Sequence, residues 1–161
     1  EDYAKLPINE SPFNVGLNVE LPDFNLNLIK DLAKRYDQSE NVADSLYQLL
    51  GGHPYLTHLA LYNLAYQYLT LDDLLNYAAT DEGIYRNHLH HYLMIVRENP
   101  DLKSALQQVI NSDRPIILEK TIADKLKSLG LIKSEGNLYK ISCQVYQQYF
   151  AFHLQQNTSN N

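Results

Sequence analysis

The sequence predicts a mainly α-helical protein whose C-terminal third carries one small β-hairpin. Three observations predict it. From Leu26 onward, apolar residues recur at three- and four-residue steps, the spacing that lines up one face of a helix. These segments are punctuated by helix-ending or helix-starting residues at Gly51-Gly52, Pro54, Pro100 and Gly130. Only residues 131–141 break into two short apolar runs around a glycine, Gly136.

Taken in order, residues 1–25 form an irregular lead-in. Pro7, Pro12, Gly16 and Pro22, with the alternating stretch Val15-Gly-Leu-Asn-Val-Glu-Leu21, predict extended chain or an edge strand. Leu26, Leu28, Ile29, Leu32, Ala33 and Tyr36, with Lys30, Lys34 and Arg35 between them, predict an amphipathic helix. Asn25 or Asp23 can cap it through a side-chain oxygen. A second helix runs from about Glu40 to Leu50 and stops at Gly51-Gly52, since glycine takes the left-handed conformation that closes a helix. The third begins at His53-Pro54, where proline's missing N–H costs nothing, and continues through Leu56, Leu59, Ala60, Leu64 and Tyr68. Thr70 caps a short fourth helix whose Asp72 and Asp73 favour the positive end of the helix dipole. Gly83 to Asn99 reads as a fifth helix, closed by Pro100.

Beyond Pro100 the rhythm changes. Asp101–Ser112 is helical, Pro115–Leu118 is extended, and Lys120–Leu129 is helical up to Gly130. Leu131–Ile141 reads as two strands around a Glu135-Gly136-Asn137 turn, and a last helix runs from Gln144 to Leu154. Helix, strand, helix, hairpin, helix is the order of a winged helix. The predicted organisation is therefore a lead-in over 1–25, a helical bundle over 26–99, a winged-helix domain over 101–154 and a frayed polar tail over 155–161.

Composition narrows the function. The 161 residues, 45% of them apolar and 20% charged, are enough for one ordinary domain or two small ones. A net charge of −6, from thirteen basic and nineteen acidic residues, argues against a protein that binds nucleic acid or anionic membrane over its whole surface. No apolar run reaches the length of a membrane span, and Cys143, the single cysteine, has no internal disulfide partner. A cytoplasmic setting is expected. The chain begins at Glu1 and its one methionine is Met94, which suits a piece of a longer protein.

No phosphate-binding loop is visible, because the double glycine Gly51-Gly52 lacks the following Lys-Ser/Thr that would surround phosphates. No catalytic set is visible either. The sharpest local signal is Leu49-Leu-Gly-Gly-His-Pro-Tyr-Leu56. A helix-end glycine followed by a proline-started helix explains it structurally. The same rigid junction also lets backbone and a proline ring approach a flat base with no bulky side chain between them.

Read together, Ser11-Pro-Phe-Asn-Val-Gly-Leu-Asn-Val-Glu-Leu-Pro22, Leu49-Leu-Gly-Gly-His-Pro-Tyr-Leu56, Thr80-Asp-Glu-Gly-Ile-Tyr85 with His88-Leu89, and Ser112-Asp-Arg-Pro115 span nearly the whole chain. In these motifs the sequence resembles the C-terminal part of the AAA-like ATPase domain of bacterial, especially cyanobacterial, STAND-type signalling proteins. The resemblance implies a helical lid followed by a winged helix. It also implies that Gly52, His53 and Pro54 lie near the base of a bound nucleotide, with Phe13 and Asn14 near it where the chain leaves the core. ATP or ADP would then be bound in the parent protein, whose phosphate-binding loop and magnesium-binding acids would precede Glu1, and no cofactor is expected in this chain by itself. The implied partners are that ATPase core and attached sensor or effector domains, with self-association as a further outcome.

Charge is unevenly placed. Arg114, Lys120, Lys125, Lys127, Lys133 and Lys140 face three acids between positions 114 and 140, a segment of +3 against −9 for the rest. These six cations could hold DNA phosphates, which gives a winged-helix DNA regulator as the first alternative. The helix Lys120–Leu129 has no Arg, Asn or Gln to read base edges, so the preferred reading is that these charges pair the two domains or solvate a face. A stand-alone adaptor docking through Tyr62, Tyr66 and Tyr77 is the second alternative. In Arg86-Asn-His88-Leu-His90-His91, His88 and His91 share a helix face but lack further ligands for zinc, so an interface role is expected and no metal site. His58 and His153 look isolated. Cys143 is expected to be a structural thiol. The function expected is a nucleotide-dependent conformational switch and interaction module with no catalysis of its own.

Overall fold

The computed structural model describes residues 22–155. Phe13, Asn14, the predicted edge strand and most of the predicted tail lie outside the described residues. The described residues form eight helices and one two-stranded antiparallel sheet. In order these are α1 (Leu26–Arg35), α2 (Glu40–Leu50), α3 (Pro54–Ala65), α4 (Leu71–Tyr77), α5 (Arg86–Glu98), α6 (Pro100–Ile110), α7 (Lys120–Ser128), β1 (Ile132–Glu135), β2 (Leu138–Ile141) and α8 (Gln144–Gln155).

Local chemistry sets most boundaries. Asn25 Oδ1 accepts the Leu28 N–H at 2.9 Å and so caps α1, while Lys34 and Arg35 complement the negative end. α2 ends at Gly51, with φ 59. α4 opens with a reciprocal cap in which Thr70 Oγ1 accepts from the Asp73 N–H and Asp73 Oδ2 accepts from the Thr70 N–H. α5 starts at Arg86 rather than at Gly83, and Gly83 lies in the preceding turn so close under the Tyr77 carbonyl that a Cβ there would collide with it. Pro100 does more than close α5: it is the first-turn residue of α6. α7 is capped by Glu119, whose two carboxylate oxygens accept the Thr121 and Ile122 N–H groups at 3.0 Å each.

The hairpin pairs Ile132 with Ile141 and Glu135 with Leu138, so the turn has two residues, Gly136 and Asn137, and Glu135 belongs to β1. The extended run before α7 reaches the hairpin through one bridge, Ile116 to Tyr139, with N···O distances of 2.9 and 2.8 Å.

One contiguous buried cluster runs from Ile29 in α1 to Leu154 in α8. α8 organises it, packing on α2, α5 and α6 and burying Val145, Tyr146, Tyr149, Phe150 and Leu154. Each fully buried apolar side chain of this size stabilises the fold by about 1.5–3 kcal/mol relative to exposure. Tyr85, fully buried, donates its hydroxyl to the Leu56 carbonyl at 2.7 Å, so its polar end is satisfied inside the core. No helix among the described residues is long and apolar enough to cross a membrane.

Candidate functional site

The turn between α2 and α3 is built from two left-handed glycines, Gly51 at φ 59 and Gly52 at φ 83. Gly52 accepts the Phe24 N–H at 2.8 Å, and a Cβ at this position would strike the Phe24 carbonyl. Gly51 faces the entrance to α8, where a Cβ would lie 2.8 Å from the Ser142 carbonyl oxygen. The junction is thus held between residues 22–25 and the β2–α8 connection, and only glycine fits at either position without displacement.

His53 caps α3 by accepting the Leu56 N–H at Nδ1, 3.4 Å away. Burial lowers its pKa, partly offset by Asp23 and reinforced by Lys133, so the ring is neutral at pH 7. With Nδ1 accepting, the proton sits on Nε2. Its ring meets His88 and Tyr146 edge-on at 5.9 and 6.2 Å.

His53 and Pro54 line a cleft of about 640 Å³, within the range of small-molecule sites. Leu50, Tyr55 and Tyr92 add apolar and aromatic wall, the α7–β1 segment adds Lys127, Ser128 and Lys133, and Ser142 adds a further hydroxyl. Lys133 Nζ is 2.7 Å from Asp23 Oδ2 and 3.2 Å from the Gly51 carbonyl oxygen. This one ammonium ties the hairpin to the helical junction.

The sequence-predicted residues divide. His53, Pro54, Lys127 and Lys133 come together at the cleft, with Gly52 buried beneath it. Arg114, Lys120, Lys125 and Lys140 do not line it. Lys140 pairs with Glu135 across the hairpin at 2.8 Å, and Arg114, Lys120 and Lys125 are exposed. Sequence reasoning missed Asp23, Tyr92, Ser128 and Ser142. Tyr92 carried a signal, since it lies one helical turn beyond His88 on α5.

His88 is half-buried on α5 with Nε2 2.7 Å from the Tyr146 hydroxyl and its ring stacked on that tyrosine. His91, three residues on, is exposed. Among the described residues no group of three or more His, Cys, Asp or Glu side chains is arranged to hold a metal ion. His153 is not isolated: its Nε2 lies 3.6 Å from Asp81 Oδ2. Nor is His58, which packs edge-on against Phe24 and Tyr36. Cys143 is buried, and burial pushes its thiol up to about 11, outweighing the lowering by the Tyr146 and Val145 N–H groups at the start of α8.

A model of the AAA-like domain matches residues 1–152, and the chain belongs to that family. No curated protein and no solved structure matches the chain significantly.

Proposed function

We propose that this chain is the helical lid and winged helix of a STAND-type AAA-like signalling ATPase, and that it acts as a nucleotide-dependent switch without catalysis of its own. One observation carries the reading. The cleft at the Gly-His-Pro junction combines surfaces from the helical region with Lys127 and Lys133 from the proposed winged helix, so one ligand there would touch both. The order of helix α6, the Ile116 bridge, α7, the hairpin and α8 supports the winged-helix part of this reading.

The residues fit ATP or ADP chemically. Pro54, Tyr55 and Tyr92 offer flat apolar surface for a base, Lys127 offers positive charge for phosphates, and Ser128, Ser134 and Ser142 offer hydroxyls for ribose or phosphate oxygens. A bound nucleotide would supply a polyanion in contact with both regions. This chain would supply only binding and movement, because its sequence shows no Lys-Ser/Thr phosphate-binding loop of the kind a P-loop ATPase uses. Exchange between ADP and ATP would shift the balance of two arrangements of lid and winged helix relative to an ATPase core, exposing surfaces for effector domains or self-association in the cytoplasm. The DNA-binding alternative draws less support, since Lys133 and Lys140 are already engaged by Asp23 and Glu135.

The test is calorimetric titration of the full chain with ADP and ATP beside Pro54→Ala. The reading expects binding that the variant weakens about tenfold, equivalent to about 1.4 kcal/mol. Equal affinity in both proteins would remove the junction from the site, and no binding by the natural chain would remove the cleft as a site in its own right.

A further inference from the structure

Between His58 and Arg86 the chain carries no Lys, Arg or His but four carboxylates, Asp72, Asp73, Asp81 and Glu82. The same stretch exposes aromatic surface: Tyr66 and Tyr68 are 60% and 68% exposed, and Tyr62 and Tyr77 are nearly half exposed. Tyr62 and Tyr66 lie on successive turns at the end of α3 with ring centroids 4.6 Å apart. Gln67, at φ 56, then reverses the chain so that the Tyr68 ring stacks beside Tyr66 at 6.1 Å and 19°. Three rings make one platform.

A groove of about 220 Å³ adjoins that platform, lined by Tyr68, Leu69, Asp73, Tyr77, Glu82 and Ile84 among others. Asp73 is held in place by Thr70, whose N–H and O–H donate to Oδ2 at 3.0 and 2.7 Å. Asp81 differs, being engaged by His153 and the Tyr149 hydroxyl. Asp73 and Glu82 enter no ion pair among the described residues.

Aromatic faces and unpaired carboxylates together select their occupant. A purely apolar segment would desolvate the charges of Asp73 and Glu82 with no cation to pair them. A nucleic acid or acidic peptide would be repelled. A guanidinium meets both demands, since it stacks on tyrosine faces and pairs in a fork with a carboxylate. We propose that the groove between Tyr68 and Tyr77 seats an arginine side chain of a basic partner segment, with the Tyr62–Tyr66–Tyr68 platform receiving the neighbouring residues. The partner is a protein that presents arginine on an exposed strand, loop or helix. A second copy of this chain fits less well, because its own basic segment is mostly lysine, with Lys133 and Lys140 already paired. The inference is independent of nucleotide binding at the other cleft.

Fluorescence anisotropy with the full chain tests it, using labelled Arg-Leu repeat peptides and their Glu-Leu counterparts. The expected result is micromolar binding of the arginine peptide that weakens at least about fivefold between about 50 and about 300 mM salt. Tyr68→Ala and Glu82→Gln should each weaken it about tenfold, whereas Lys120→Ala, outside both the groove and the cleft, should not. Equal binding of both peptides overturns the proposal, as does wild-type affinity in both variants with their circular dichroism unchanged. Self-association in sedimentation velocity that Glu82→Gln abolishes would overturn it too, assigning the surface to a second copy.

Discussion

His88 is held neutral by its surroundings: burial, then the neighbouring His53 and His91, push its pKa down to about 4. Tyr146, which stacks on it, is itself pushed up by burial and stays a phenol, so both partners of their 2.7 Å contact are uncharged at neutral pH. In the unfolded chain the imidazole titrates near its ordinary value of about 6.5. As pH falls, the unfolded state therefore takes the proton first, and stability that is complete above about 6.5 is lost progressively toward about 4. Because the ring is partly solvated, the loss should be about 1–2 kcal/mol rather than the full equivalent of the shift. Urea unfolding at pH 7 and pH 4.5 measures it, and His88→Gln should flatten the difference by about that amount. An unchanged difference would assign the acid sensitivity to other groups, His53 first, since burial lowers it in the same direction.

At the scale of elements, the glycines that end helices and form turns separate into two kinds. Gly52 combines φ 83 with a backbone contact to Phe24, whereas Gly136 has φ 61 in the hairpin turn and open space where a Cβ would go. Gly52→Ala should cost about 3 kcal/mol, from the left-handed conformation and the collision together, while Gly136→Ala should cost about 1 kcal/mol. Chemical denaturation of the two variants checks the ratio, and equal costs would mean that the junction yields to the added methyl. The same distinction explains what the sequence could reveal. Asn25, Thr70, Gly51 and Pro54 announce helix ends through bonds to residues within one turn, so those boundaries were legible. Glu119 as a double cap was not, because its residue type is an unusual one at that position. The start of α5 was hidden as well, since the turns before Arg86 carry no side-chain cap to mark it. Of the cleft, the junction was legible from Gly52, His53 and Pro54. Asp23, Tyr92 and Ser142 join it through folding together of distant segments, which no local pattern encodes.

At the scale of the whole molecule, Lys133 spans, among the described residues, the greatest distance in sequence of any side-chain contact around the cleft, reaching Asp23 110 residues away and the Gly51 carbonyl 82 residues away. It is 31% exposed, so the pair is neither a freely screened surface bridge nor a fully desolvated one. Its place matters more than its strength. The hairpin also packs on α6, α7 and α8 and bridges to Ile116, and residues 22–25 are also held by the Phe24 bond to Gly52 and the packing of Phe24 against His58. Lys133→Met keeps the apolar stem and removes both polar contacts, which should lower stability by about 1 kcal/mol. Amide exchange should quicken at Phe24 and along β1, while the α1–α2 pair keeps its protection. Asp23→Asn should have a smaller effect, because Lys133 retains the Gly51 carbonyl. If the charge pair couples the two regions, the double variant will lose less than the sum of the single ones, and about 0.3 M salt will reproduce part of the Asp23→Asn change in the natural protein. Strict additivity, or exchange that quickens everywhere alike, would mean that the core around α8 alone joins the hairpin to the junction. A ligand at the cleft would then have to act on that core, and not on Lys133, to move one region relative to the other.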